Sequence, residues 1–100
     1  MAKASIRKQW QIVLAAGDIR KITPDGETNM EERGFSISNE GVGDLLVGNV
    51  DAQLKPIAPD TERNYIDIEG GGAEARWDSD AIYVKSVSGT TVVVEAIGLG

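Results

Sequence analysis

Short apolar segments with a period of two recur along this chain, and residues that favour turns separate them. Phe35 and Ile37 alternate with serines, which is typical of a strand with one buried face. The Asn-Glu-Gly sequence at 39–41 has the composition of a turn, and a second apolar run, Leu-Leu-Val, follows at 45–47. We therefore predict a β-hairpin near the middle of the chain, with the Asn39 side chain bonded to the local backbone of its turn.

Segments of this kind predict about seven short strands, at the spacing that is typical of a β-sandwich or barrel. The sequence shows no run of normal length with helical periodicity. The predicted fold is all-β: a single small β-sandwich or barrel that is jelly-roll-like. A chain of 100 residues suits one domain, which we place at residues 9–100, behind a basic N-terminal arm at residues 1–8.

The same alternation predicts which side chains form the core. Within each strand we expect the more apolar set to face inward, because burial of apolar surface is the dominant favourable contribution to folding. The predicted core consists of Trp10, Ile12, Leu14, Phe35, Ile37, Ile66, Ile68, Ile82, Val84 and Val93.

The last two predicted strands, residues 81–87 and 90–97, are apolar on both faces. Ser-Gly at 88–89 predicts a two-residue hairpin turn, which places Tyr83 opposite Val94. Strand propensity alone explains many exposed β-branched residues. The other interpretation is that the second face contacts another subunit, since a sheet with one solvated side usually carries polar residues there. On that interpretation the interface candidates are Tyr83, Val92 and Val94.

Three basic residues precede the first acidic residue of the chain, Asp18. A frayed terminus is the commonest state of such a segment. The alternative is an arm that binds an acidic partner and becomes ordered only there. Its interface candidates are Lys3, Arg7 and Lys8.

The composition excludes several classes of chemistry. The chain has no cysteine and no histidine, which removes thiolate chemistry, disulfides, the commonest general base and the commonest metal ligand. Its net charge of −6 argues against a nucleic-acid partner, because that affinity comes mainly from neutralised phosphates. No apolar run approaches the ~20 residues of a membrane helix. We therefore expect a non-enzymatic protein, made in a cytoplasm, without a cofactor, a nucleic-acid partner or a membrane partner.

Asp78-Ser79-Asp80 has the composition of a fragment of a cation site with oxygen ligands. The sequence around it has neither the glycine nor the distal glutamate of a complete calcium loop. The other interpretation is a solvated turn whose aspartates cap the local backbone, and the sequence favours it. We therefore predict no metal ligand.

Several strand-and-turn motifs together carry a family resemblance. Ile-Thr-Pro lies at 22–24, Ile-Ser-Asn-Glu-Gly at 37–41, Leu-Leu-Val-Gly at 45–48, and Ser-Gly-Thr-Thr at 88–91 before a valine-rich last strand. With a first strand at 10–15, this order resembles the small all-β virion structural proteins of tailed bacteriophages. Those proteins decorate or cement capsids or form head or tail appendages. The resemblance extends over nearly the whole chain.

This resemblance implies a structural role in the virion, at the capsid surface, and assembly into trimers or other symmetric homo-oligomers. The implied partners are sister copies and the major capsid protein or another virion protein. An alternative is a small β-sandwich binding module of a head fibre or tail appendage, which recognises a carbohydrate or a host surface. A cupin-like metal domain is disfavoured because its metal-binding histidines are missing.

Overall fold

The computed structural model describes residues 4–28, 30–32, 34–66 and 77–99. These residues form ten β-strands and one short 3₁₀ turn, which confirms the all-β prediction. The elements are β1 (Ala4–Leu14), β2 (Ile19–Lys21), β3 (Glu31–Glu32), β4 (Gly34–Asn39), β5 (Leu46–Gly48), β6 (Gln53–Pro56), β7 (Glu62–Ile66), β8 (Trp77–Asp78), the 3₁₀ turn (Ser79–Ala81), β9 (Tyr83–Lys85) and β10 (Thr90–Leu99).

Two antiparallel four-stranded sheets form a sandwich. Sheet I has the strand order β1-β10-β4-β7, and sheet II has the order β2-β9-β5-β6. The remaining strands, β3 and β8, pair with each other. The core lies between sheets I and II, so each sheet has one inward and one outward side.

The strand pairs are nested along the chain. β5 pairs with β6, β4 with β7, β3 with β8, β2 with β9 and β1 with β10, so the chain is one long antiparallel ribbon that turns back between β5 and β6. Rolling this ribbon places β10 beside β4 and β9 beside β5. Two four-stranded sheets connected in this way are a jelly roll, and the predicted sandwich is confirmed.

The count of ten strands exceeds the predicted count because three of the strands leave little trace in the sequence. β3 and β8 have two residues each, which is too short for a period of two to be visible. β6 contains Pro56, and prolines lower the strand signal of a segment. Its position at the edge of sheet II explains why a proline is tolerated there, since one side of an edge strand has no partner to bond.

The core matches most of the predicted set. Trp10 is half-buried and packs edge-to-face on Phe35, with the ring centroids 6.4 Å apart. The predicted core residues that are buried are Ile12, Leu14, Phe35, Ile37, Ile82 and Val84. The core residues that the sequence did not assign are Ile22, Leu45, Val47, Ile57, Val92, Val94 and Ala96. The side chains of Ile66 and Ile68 lie outside the described part of the chain.

The predicted hairpin at residues 35–48 is wrong, because its two strands belong to different sheets. β4 pairs with β10 and β7 in sheet I, whereas β5 pairs with β6 and β9 in sheet II. The connection at 40–45 therefore crosses from one sheet to the other instead of turning back. The alternation within β4 was informative about which side chains face the core, although Ser36 on the other side is buried as well. It carries no information about which sheet the next strand joins.

Asn39, at the start of this connection, is fully buried and bonds in four directions. Its Nδ2 donates to the carbonyl oxygens of Gly43 and Ile57, both at 3.0 Å. Its Oδ1 accepts from the Thr90 hydroxyl at 2.7 Å and from the Gly41 amide at 3.3 Å, so the predicted bond to the local backbone is confirmed. Gly41 is needed here because a Cβ at this position would lie 2.2 Å from Thr90 Oγ1.

The predicted pairing of residues 81–87 with 90–97 is also wrong. β9 pairs with β2 and β5, and β10 pairs with β1 and β4. Because the chain passes from sheet II to sheet I between them, the turn does not set a register between β9 and β10. Val92 and Val94 face the core and are fully buried, which corrects their assignment as interface candidates. Val93, predicted in the core, is half-buried on the outward side.

The first strand is longer than predicted. β1 begins at Ala4 and pairs with β10 along its whole length. Residues 4–8 are therefore part of sheet I, which corrects their assignment to an arm. Arg7 and Lys8 are strand residues: Lys8 pairs with Ala96 of β10, and Arg7 lies at the irregularity of the register between Ile6 and Lys8. Lys3 lies outside the described residues.

Asp44 binds the segment at residues 86–89, through which the chain passes from sheet II to sheet I. Its carboxylate accepts from the Ser88 hydroxyl at 2.6 Å, and from the amides of Val87 and Ser88 at 3.0 and 2.9 Å. These donors, with the Ser88 hydroxyl first, hold the pKa of Asp44 well below its usual range because they stabilise the charged form. The connection at 40–45 and the passage at 86–89 are thereby bound to each other.

Candidate interface surfaces

The outward side of sheet II is a mixed apolar and basic surface, which we call the sheet II face. The strand register places two rows of side chains on it, because paired residues of neighbouring strands point to the same side. Val84 and Val47, which lie between the two rows, point into the core. The first row is Ile19, Lys85, Leu46 and Pro56, and the second row is Lys21, Tyr83, Gly48 and Gln53.

Apolar groups of the sheet II face are open to solvent. Ile19 is 50% exposed on one edge strand of the sheet, and Pro56 is exposed on the opposite edge strand. Leu46 and Tyr83, on the two central strands, are half-buried. Aromatic side chains with an apolar body and a polar tip are enriched at protein interfaces. The structure places Tyr83 where a partner can reach it, and its role at an interface stays a prediction.

Both charged side chains of the sheet II face are basic. Lys21 Nζ lies 3.3 Å from an Asp80 carboxylate oxygen. Lys85 forms no ion pair within the described part of the chain, and it lies in its row between Ile19 and Leu46. An unpaired lysine among apolar groups favours an acidic partner, since complementary charges set the specificity of protein contacts.

The outward side of sheet I, which we call the sheet I face, is polar and acidic. Its charged side chains are Glu62 and Glu95. Glu62 accepts from the Ser36 hydroxyl at 2.7 Å, and Glu95 accepts from the Gln9 amide at 2.9 Å. Both carboxylates are therefore held in place by neutral donors. The rows that carry these carboxylates, with the row beside them, comprise Gln9, Gln11, Val13, Ser36, Ser38, Glu62, Asn64, Thr91, Val93 and Glu95. A further row towards the start of β1 adds the apolar side chains of Ile6 and Ile97 to the same side.

A depression of about 430 Å³ lies on this face, and four carboxylates line it. Glu62 and Glu95 belong to the strands, and Glu40 and Asp60 come from the connections at one end of the sheet. Val93 supplies apolar surface in the same depression. Its described lining contains no basic side chain. The depression therefore suits a cationic group.

A second depression, of about 260 Å³, opens between β1 and the segment 20–25, which comprises the end of β2 and the turn after it. Trp10 lines it, and the Trp10 Nε1 donates to the Ile22 carbonyl at 2.9 Å, which fixes the indole ring. Arg20 and Asp25 line the same depression and form an ion pair at 2.9 Å. An aromatic ring beside fixed donors and acceptors is a combination that suits small polar ligands with an apolar face.

Asp78 and Asp80 act within the turn that follows β8. Asp78 Oδ1 accepts from the Asp80 amide at 2.9 Å and caps the 3₁₀ turn, which confirms the sequence-based interpretation of a capped turn. Asp80 accepts from the Thr23 hydroxyl and pairs with Lys21, and these contacts, the hydroxyl first, lower the pKa of Asp80. The described residues contain no group of three side chains that could hold a metal ion.

Arg7 and Lys8 already have acidic partners within the chain. An Arg7 guanidinium nitrogen lies 3.4 Å from a Glu32 carboxylate oxygen, and Lys8 pairs with Glu27. These contacts neutralise both cations locally. A role for either residue at an interface stays a prediction.

Sequence reasoning missed Ile19, Leu46 and Lys85 as members of one surface. Ile19 and Leu46 lie on strands of three residues, which are too short to show a period of two. The surface exists because β9 lies between β2 and β5, which are distant in the sequence. The available signal was the Ile-Tyr-Val sequence at 82–84, in which Tyr83 lies between two residues of the core set.

Comparisons with protein-family models, with curated protein sequences and with solved structures found no match to this chain. Among the described residues, no helix is long and apolar enough to cross a membrane.

Proposed function

We propose that this protein is a non-enzymatic structural protein of a tailed-bacteriophage virion, of the capsid decoration or cement type. The observation that carries the proposal is the sheet II face: a two-row outward surface, apolar and basic, on a rigid jelly-roll sandwich. Jelly rolls are common in viral capsid proteins, although that association is one of fold and not of function. The resemblance of the strand-and-turn motifs to small virion proteins adds to it.

The proposed mechanism is bridging. A sandwich with a close-packed core keeps its outward faces at a fixed distance and angle, so it can hold neighbouring subunits in one geometry. The sheet II face supplies apolar contact through Ile19 and Leu46, and Lys85 selects an acidic partner surface. The partners are sister copies and the major capsid protein. A net charge of −6 keeps the free protein soluble before it assembles on the capsid surface.

The composition supports a role without catalysis or cofactor. Serine hydrolases need a base beside the nucleophile, and the chain has no histidine to serve as that base. Jelly-roll metal enzymes of the cupin type use histidine ligands, which this chain also does not contain. The fixed carboxylates Glu62 and Glu95 bond to neutral donors on an open surface, which suits recognition better than proton transfer.

The test is to analyse purified virions of the phage that encodes this chain. We expect the protein in a fixed ratio to the major capsid protein, and we expect particles from a deletion phage to release DNA at a lower temperature. Absence of the protein from virions, together with unchanged heat stability of the deletion particles, would contradict the proposal.

Two variants locate the contact on the particle. Tyr83→Asp should lower occupancy on deletion particles, because an unpaired charge would be desolvated in the contact. Val42→Asp is the matched control, since Val42 is 98% exposed in the connection between β4 and β5 and belongs to neither row. Equal occupancy of both variants would remove the sheet II face from the mechanism.

A second candidate function is a carbohydrate-binding module of a head fibre or tail appendage, and the Trp10 depression favours it. Trp10 offers a fixed aromatic surface, and Arg20 and Asp25 offer paired polar groups for sugar hydroxyls. The test is titration with a panel of mono- and oligosaccharides, followed by amide chemical shifts. This function requires shifts confined to the depression that disappear in Arg20→Ala and persist in the control Asp51→Ala.

A further inference from the structure

We propose that this protein self-associates head to tail, with the sheet II face of one copy docked on the sheet I face of a second copy. The inference rests on the structural role proposed above, and it names the surfaces through which sister copies meet. Three observations carry it: the charges of the two faces, the depression on one of them, and their placement on opposite sides of the sandwich.

The two faces carry opposite charges. Within the strand rows, the sheet II face has Lys21 and Lys85 and no acidic residue. The sheet I face has Glu62 and Glu95 and no basic residue. Lys21 is already paired with Asp80, so Lys85 is the cation that is open to a partner. Complementary patches of this kind select a partner and fix its orientation.

Contacts between like faces are unfavourable on the same grounds. Two sheet II faces pressed together would bring Lys85 of both copies into one contact. Two sheet I faces would join depressions that are each lined by the carboxylates of Glu40, Asp60, Glu62 and Glu95. Like charges across an interface cost several kcal/mol in general, whereas the mixed contact pairs them.

The depression on the sheet I face suits the side chain that the sheet II face presents. It measures about 430 Å³, is lined by four carboxylates and contains the apolar side chain of Val93. A lysine side chain has an apolar stem and a charged head, so it can cover Val93 while its ammonium group reaches the carboxylates. We assign Lys85 of the docked copy to this depression. Ile19 and Leu46, which flank Lys85, then lose their exposure to water.

The placement of the faces determines the kind of assembly. They are the two outward sides of one sandwich, so each copy can use both at the same time. Such a contact is heterologous, and it gives a ring where successive rotations close and an open stack where they do not. Blocking one face on a copy leaves its other face able to bind, which is the property that the experiment uses.

The experiment measures self-association of the purified protein by sedimentation, at concentrations up to about 1 mM, where even a millimolar contact is half occupied. We expect concentration-dependent oligomers that weaken as salt is raised, because salt screens the charge pairs. Lys85→Glu and the double variant Glu62→Gln with Glu95→Gln should each weaken association about tenfold or more. Glutamine can still accept from Ser36 and Gln9, so the second variant preserves the local bonds of the sheet I face.

The decisive sample is an equimolar mixture of two blocked proteins. One carries Lys85→Glu, and its sheet I face is intact. The other carries Glu62→Gln with Glu95→Gln, which blocks its sheet I face without placing a cation opposite the new acidic side chain of the first protein, and its sheet II face is intact. Each should be monomeric alone, and the mixture should give a one-to-one heterodimer that grows no further, because only one pair of intact faces remains. There are two matched controls. Lys55→Glu changes a residue that pairs with the inward Val47 and so does not belong to the outward rows, and Asp51→Lys changes a residue between β5 and β6. Both variants should associate as the wild type does.

Three outcomes overturn the proposal. A wild-type protein that stays monomeric throughout this concentration range shows that its two faces do not bind each other. Oligomers that survive Glu62→Gln with Glu95→Gln but not Lys85→Glu show that the sheet II face docks on a surface other than the sheet I face. A mixture that stays monomeric although thermal unfolding shows both variants folded removes the head-to-tail contact. None of these results decides whether the protein is present in virions. Sedimentation therefore tests this inference, and the analysis of purified virions tests the proposed function independently.

Discussion

Replacing Asn39 by alanine tests how the two sheets are tied together. Its fully buried side chain joins the end of β4 to three other parts of the chain. It bonds to Gly41 and Gly43 in the connection at 40–45, to Ile57 after β6, and to Thr90 at the start of β10. Alanine removes all of these bonds and leaves the Ile57 carbonyl and the Thr90 hydroxyl without the Asn39 partner in a buried site, whereas the bonds to Gly41 and Gly43 are partly buried.

The expected cost follows from the bonds that are lost. A neutral hydrogen bond contributes about 0.5–1.5 kcal/mol, and a buried polar group without a partner costs about 1–3 kcal/mol. Three of the four Asn39 bonds have lengths of 2.7–3.0 Å, and the fourth, at 3.3 Å, is weaker. We therefore expect Asn39→Ala to lower the free energy of unfolding by about 3–5 kcal/mol, out of the ~5–15 kcal/mol that a small domain has.

The assay is urea unfolding followed by tryptophan fluorescence, with a thermal scan alongside it. For a domain of this size the loss corresponds to a fall in the thermal midpoint of roughly 12–40 °C. Asn49→Ala is the matched control, because Asn49 is exposed between β5 and β6 and its side-chain oxygen accepts from the backbone amides of Asp51 and Ala52 within the same turn. If the two variants were equally stable, or if Asn39→Ala lost less than about 1 kcal/mol, the account of Asn39 as a tie between the sheets would be refuted.

Three further predictions concern the core and the acid response. Phe35→Ala should lower the free energy of unfolding by about 3–5 kcal/mol, since Phe35 is fully buried against Trp10; an unmoved urea midpoint would contradict this. Val92→Ala should lower the free energy of unfolding by about 2–3 kcal/mol, and Val93→Ala should lower it by less than about 1 kcal/mol. The reverse order in the same assay would support the hairpin register that the sequence predicted. The folded-state pKa of Asp44 is lowered, so its contribution to stability is present above the ordinary value of 3.8 and is lost as the pH falls towards the folded-state pKa. Urea midpoints between about pH 2 and pH 7 should therefore fall more steeply on acidification in the wild type than in Asp44→Asn, and parallel curves would count against the bonds from Ser88.

Burial within a strand could be predicted from the sequence because it is a local property. The period of two in Phe35–Ser38 and in Trp10–Leu14 assigns the inward side, and the structure confirms Phe35, Ile37, Ile12 and Leu14 as buried. The bonding of Asn39 to its own turn could be predicted on the same local grounds. The class of fold followed from the number and spacing of such segments.

The relation between strands could not be predicted, because it depends on contacts that are distant in the sequence. Val92 and Val94 are inward and Val93 is outward, since β10 takes its register from β1 and β4 and not from β9. Arg7 and Lys8 have the composition of a free arm, yet their charges are paired with Glu32 and Glu27. The two outward faces likewise combine strands that no local pattern connects.

The position of β10 has a consequence for how the chain folds. It is the last described strand, and it occupies an interior place in sheet I between β1 and β4. Until it inserts, β1 has no neighbour in its sheet, and the core is open along the whole length of that strand. The nested pairs join ever more distant residues, up to Ala4 with Leu99, and closing such long loops is slow compared with forming local contacts. Folding should therefore begin at the β5–β6 hairpin and proceed outward, and a ribosome must release residues 90–99 before the sandwich can close.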